Sequence, residues 1–136
     1  MRTLTQETHA IVVQDDVVAA RRLAREIARE LGFDAFAAAA ITTATSELAR
    51  NILVHGGGGR VVLRRIVRGT QYGIQIDFYD EGPGIGELDR ALRGGFSTRR
   101  SLGLGLSGSK RLVDEFRIES KPGEGTHIEV RKWGRV

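Results

Sequence analysis

Cysteine is absent from this chain. That excludes disulfides, thiolate metal sites and cysteine nucleophiles. With no disulfide framework to read, a reducing cytoplasm is the expected setting. Long apolar runs are missing too: the longest, Ala35 to Ile41, falls far below the roughly 20 residues that a spanning helix needs. Met1 to Ala10 contains Glu7 and no apolar run, so neither a secretory signal nor a membrane partner is expected. No dense block of one charge occurs. Lys plus Arg number 21 against 17 Asp plus Glu, a net charge of +4, and the cations are scattered with little aromatic interleaving. Nucleic acid is therefore not an expected partner, although an acidic protein remains compatible. There is no sequence repeat and no low-complexity segment.

What is present is ordinary for a globular protein. Of the 136 residues, 40% are hydrophobic and 28% charged, a length and composition expected of one domain over residues 1–136 that buries a core without covalent staples. Thr8 to Val13 is β-rich and predicts a first strand. Asp15 and Asp16 offer an N-cap to a helix in which Val17, Ala20, Ala24, Ile27 and Leu31 recur at helical spacing, opposite Arg21, Arg22, Arg25 and Arg29. Gly32 stops it. Asp34 can cap a second helix running to about His55, with Ile41, Ala44, Leu48 and Ile52 as its apolar stripe. The four glycines from Gly56 to Gly59 break it.

Arg60–Val67 and Gln71–Asp80 predict two strands joined by a hairpin at Gly69-Thr70. Glu81 to Gly103 is rich in Gly, Ser and Thr and reads as a long functional loop with one short helix near Glu87 to Leu92. A helix over Leu104–Phe116 and strands over Phe116–Ser120 and Thr126–Lys132 complete the chain. This order predicts an α+β two-layer sandwich, a mostly antiparallel sheet covered on one face by helices.

Four groups of residues carry chemistry. Glu47 and Asn51 lie four apart on one helix face, at the border between core and solvent. A carboxylate beside a carboxamide there suits positioning a hydroxyl and holding Mg²⁺, but also suits an ordinary solvated face. Asp80 continues the parity of Ile74, Ile76 and Phe78, so its carboxylate points to the core side at the strand's end. Gly82 and Gly84 follow, leaving backbone open to a ligand such as an adenine ring. The alternative is a carboxylate capping its own loop. Gly103, Gly105 and Gly108 form G-x-G-x-x-G but follow a polar loop rather than a strand, which argues against a dinucleotide fingerprint. A glycine-rich turn leading into a helix still presents amide donors to phosphates, and Arg99, Arg100 and Lys110 either add charge there or are solvated cations. Thr126 shares parity with Ile128 and Val130, so its hydroxyl points inward and needs a partner.

The order E-x-x-x-N, D-x-G-x-G, G-x-G-x-G/S, G-x-G-T resembles the four nucleotide-binding boxes of the GHKL ATPase family, and the resemblance covers essentially the whole chain. Within that family, ITTATSELARNI, DEGPGI, GGFSTRRSLGLGL and KRLVDEF resemble the small serine/threonine kinases of bacterial partner switching. Anti-sigma factor kinases are a more distant likeness. The resemblance implies the Bergerat fold and ATP with Mg²⁺ as cofactors. It implies Glu47 as general base, Asn51 as Mg²⁺ ligand and Asp80 as acceptor from the adenine amine, in a pocket shaped by Gly82 and Gly84. Gly103, Leu104, Gly105 and Leu106 would surround the phosphates with Lys110 nearby. A glycine-rich ATP lid over about Ile85 to Ser101 would include Ser97, Thr98, Arg99, Arg100 and Ser101. Thr126 would reach adenine through water.

The activity implied is transfer of the ATP γ-phosphate to Ser or Thr of a STAS-domain antagonist in stress signalling. A PP2C-type phosphatase is a possible second partner. The alternative is an anti-sigma factor, with a sigma factor as partner, or a nucleotide-controlled binding module. Ser107-Gly108-Ser109 departs from the Pro and Val expected in close relatives.

Overall fold

The computed structural model describes residues 1–82 and 106–134. Its elements run β1 (Arg2–Ile11), α1 (Gln14–Glu30), α2 (Ala35–Val54), β2 (Gly59–Arg68), β3 (Gln71–Asp80), α3 (Leu106–Leu112), β4 (Glu115–Ser120) and β5 (Thr126–Trp133). The strands form one sheet in the order β1-β2-β3-β5-β4, with every pairing antiparallel.

Local chemistry accounts for most boundaries. The Asp34 Oδ1 accepts the Ala37 amide at 2.8 Å, so α2 starts where its cap dictates. The first helix differs in detail. Its N-cap is Val13, and Asp16, from the first turn, accepts the amides of Val12 at 2.8 Å and Val13 at 3.0 Å. The aspartate thus caps from inside the helix rather than ahead of it. Gly32, at φ +77°, ends α1 in a conformation that glycine adopts without strain. The β2–β3 hairpin turns at Gly69-Thr70, with Arg68 opposite Gln71 and Gly69 at φ +61°.

Two boundaries depart from expectation. β1 begins at Arg2 rather than Thr8. It is an edge strand whose residues from Arg2 to Thr8 are all exposed, so no buried face marks it in the sequence. The helix expected to reach Phe116 ends at Leu112. Asp114 is captured by β5 instead: its amide donates to the Arg131 carbonyl at 2.9 Å, and its carboxylate accepts the Trp133 amide at 2.7 Å. The expected loop from Glu81 and its short helix lie, beyond Gly82, outside the described residues.

The helices cover one face of the sheet. Ile74, Ile76 and Phe78 of β3, with Val61, Leu63, Ile128 and Val130 beside them, pack against Ile27, Ile41, Leu48 and Ile52. The predicted stripe of α2 is buried throughout. Among the described residues the opposite face is held by strand side chains. There Asp77, only 3% exposed, accepts from Arg64 at 2.7 Å and Gln75 at 2.8 Å and lies 2.7 Å from the His127 Nε2. A buried carboxylate surrounded by donors satisfies its hydrogen-bonding needs. On the same face the Trp133 indole donates to Glu115 at 2.6 Å.

Candidate active site

Glu47 and Asn51 lie one turn apart in the C-terminal half of α2. They differ in environment. The Glu47 side chain is 41% exposed, and its only described ion pair is a 3.4 Å contact with Arg50. A pair that long and that exposed holds little, so the carboxylate is free to turn toward a substrate. Asn51 is 8% exposed. Its backbone carbonyl accepts the amides of His55 at 3.0 Å and Gly56 at 3.2 Å, which fixes the path of the chain as it leaves α2.

That path ends against Asp80. A Cβ on Gly56 would lie 2.5 Å from the Asp80 Cβ, and one on Gly82 would lie 2.6 Å from the Gly56 Cα. A Cβ on Gly125 would collide with the Asp80 carbonyl. Three glycines therefore let the end of α2, the end of β3 and the start of β5 close around one carboxylate. Gly57 and Gly58 make the turn, at φ +73° and +120°. Gly56 and Gly59 lack positive φ; they are small because Asp80 and the Tyr79 carbonyl lie against them.

Asp80 pairs in register with Thr126 across the β3–β5 seam, so both side chains emerge on the helix side, as parity predicts. The Asp80 Oδ1 accepts the Gly82 amide at 3.0 Å. Burial pushes the Asp80 carboxyl above its usual range, against the lowering effects of the Gly82 and Thr126 amides and of nearby His55. Thr126 is 9% exposed. Its Oγ1 lies 2.9 Å from the Ser120 Oγ, and Ser120 gives its own proton to the Gly125 carbonyl at 3.2 Å. In the arrangement where Ser120 donates to Gly125, Thr126 donates to Ser120 and keeps its lone pairs for an acceptor role. Two acceptors, one a half-buried carboxylate, fit the exocyclic amine of a flat base and a bridging water.

The structure thus brings Asn51, Asp80, Gly82 and Thr126 to one end of the sandwich, with Glu47 a turn further along α2. Lys110 is exposed on α3, while Leu106 is buried in the core. The expected residues Gly84, Ser97, Thr98, Arg99, Arg100, Ser101, Gly103, Leu104 and Gly105 lie outside the described residues. Gly125 belongs to the G-x-G-T box that the sequence showed, whereas Gly56 and Ser120 were not expected at the site. For Gly56 the available signal was a run of four glycines where a turn needs fewer.

A helix-covered antiparallel sheet with these residues at its open end defines a nucleotide-binding ATPase domain, and residues 13–132 match the histidine kinase-like ATPase domain family. The chain belongs to that family and has its GHKL fold. It is similar to the serine/threonine-protein kinase RsbT of Bacillus subtilis (strain 168), with 46% identity over 125 residues, 92% of this chain and 94% of the relative. It is also 32% identical over 99 residues to the anti-sigma F factor of Thermoanaerobacter sp. (strain X514), covering 68% of each. Among solved structures, the SiaB-SiaC complex from Pseudomonas aeruginosa contains a chain that matches 97% of this one at TM-score 0.56 and 13% identity, with 91% of that chain covered. That likeness shows the fold alone. Among the described residues no helix is long and apolar enough to cross a membrane.

Proposed function

We propose that this protein is an ATP-dependent serine/threonine kinase of a bacterial partner switch, working in the cytoplasm. Its substrate on this reading is a Ser or Thr of a STAS-domain antagonist. A PP2C-type phosphatase is a second partner, bound after the antagonist is released. The observation that carries the reading is Glu47: a carboxylate without a strong partner, one turn from Asn51 and at the nucleotide end of α2. Similarity to RsbT across 92% of the chain supports it.

In this reading Asp80 and Thr126 accept hydrogen bonds from adenine and its water, and Gly82 keeps the base floor open. Glu47 takes the proton of the attacking hydroxyl as the γ-phosphate moves. Asn51 offers a hard oxygen to Mg²⁺, whose contribution when bound is to neutralise phosphate charge. Among the described residues no three His, Asp or Glu side chains gather into a metal site, which fits a cation held partly by ATP itself. Lys110, with Arg99, Arg100 and the lid residues, belongs to the phosphate end of the same proposal.

A second reading, nucleotide-controlled docking to a sigma factor, draws on the 32% identity to an anti-sigma F factor. Labelled ATP, Mg²⁺ and a purified STAS-domain protein from the same genome separate the two. Glu47→Ala should slow transfer by roughly 10²–10⁴-fold while nucleotide affinity stays unchanged. Transfer at the wild-type rate sinks the base assignment; parallel loss of ATP binding makes Glu47 structural and favours the docking module.

A further inference from the structure

The outer face of α2 carries, ahead of Glu47, features that nucleotide chemistry does not use. Phe36, Ala40, Thr43 and Glu47 follow one another at intervals of four, three and four residues, which places them within roughly 60° of the helix circumference. Phe36 is 90% exposed, more than any other large apolar side chain among the described residues. A phenyl ring left in water forgoes its burial free energy, which a partner that covers it would recover.

The ground beside this stripe is concave. On one side lies a cleft of about 930 Å³ bordered by Phe36, Ala40 and Thr43 and walled by Arg111. On the other lies a cleft of about 430 Å³ reached from Thr43 and walled by Arg25 and Arg29 of α1. The smaller cleft is lined by cations with no acid, Arg25 and Arg29, while the larger carries Arg111 and Lys132 beside Asp34 and Asp114. Arg25, Arg29 and Arg111 form no ion pair with a described residue, whereas the two acids present are engaged. Asp34 caps α2 through the Ala37 amide. Asp114 accepts the Trp133 amide and lies 3.7 Å from Lys132. An apolar ridge of small side chains between unpaired guanidinium groups complements a surface that is apolar at its centre and acidic at its edges.

We infer that this face of α2 docks an acidic face of the phosphate-accepting protein, with Phe36 as the apolar anchor, and aligns the acceptor hydroxyl with Glu47. The inference rests on the kinase reading and names where its protein substrate sits. Phe36 and Glu47 are roughly 16 Å apart along the helix axis, so one docked helix and the loop that follows it span from anchor to base. The docking surface and the nucleotide contacts thereby lie on opposite halves of one rigid helix.

Two variants test this: Phe36→Asp, and Arg25→Glu combined with Arg29→Glu. All three positions lie outside the nucleotide contacts, and Phe36 contributes nothing to the core, so melting temperature and ATP affinity should match wild type. Binding of the STAS-domain antagonist, measured by titration calorimetry, and its phosphorylation are followed together. The expected result is a rise of about tenfold or more in both Kd and KM for the antagonist, with kcat nearly unchanged. Wild-type Kd and KM in both variants overturn the docking face and leave the kinase reading standing. Binding by wild type without transfer, lost in the variants, overturns the kinase reading and keeps the face. A wild-type protein that neither binds nor phosphorylates the antagonist overturns both.

Discussion

At Asp80 burial and hydrogen bonding act in opposite directions, and burial is the larger effect. Its carboxyl therefore holds a proton more tightly in the folded chain than in the unfolded one. The stability this contributes is fully present below the unfolded pKa and is lost as pH rises through the folded one. Near neutral pH the ionised group works against the nucleotide-free fold, as expected of a residue kept for recognition. Asp80→Asn should leave the melting temperature of the free protein equal to wild type or higher at pH 7, with the gap closing in acid. The same variant should lose ATP-induced stabilisation, because with Oδ1 held by the Gly82 amide the new carboxamide turns its NH2, a donor, toward the adenine amine. Scanning calorimetry with and without ATP reads both, and undiminished ATP stabilisation would refute the adenine role. The parity of Asp80 was legible because Ile74, Ile76 and Phe78 alternate before it. The packing role of Gly56 was not, because it depends on a contact with β3 that no local pattern encodes.

Elements with a one-sided burial pattern announced themselves; those without one did not. The stripe of α2 and the even positions of β3 carried the core in plain view, whereas exposed β1 extended unseen toward the N-terminus. The end of α3 was hidden because it depends on Asp114 meeting β5. The β4–β5 pair holds another interaction absent from any motif. Glu115 has its carboxyl lowered chiefly by the Trp133 indole, with Arg68 and Arg131 adding to it. For a lowered carboxyl, the stability is present above the unfolded pKa and lost as pH falls through the folded one. Trp133 is the only tryptophan, so its fluorescence should change as pH falls below the usual glutamate range. In Glu115→Gln that transition should disappear. A transition retained in the variant would assign it to a different group.

The candidate site is assembled from α2, β3 and β5, so whatever fills it fastens the whole sandwich. A ligand that binds only the folded state adds about 2.7 kcal/mol at a concentration of 100 times its Kd. ATP with Mg²⁺ should raise the melting temperature more than ATP alone, and Asn51→Ala should erase that increment while retaining most of the metal-free shift. Equal losses in both titrations would argue against metal ligation by Asn51. The sheet order has a consequence for how the chain is born. β1, β2 and β3 pair with their sequence neighbours, but β3 receives its second partner only from β5, after the whole intervening stretch from Asp80 to Thr126 has been synthesised. Until then Ile74, Ile76 and Phe78 lie along an unpaired strand edge, the type of intermediate that chaperones recognise and that aggregates when it lingers. Closing that seam is a long-range and therefore late step. Asp80 and Thr126 face each other only once it closes, so a nascent or misassembled chain lacks the pairing on which the proposed adenine pocket depends.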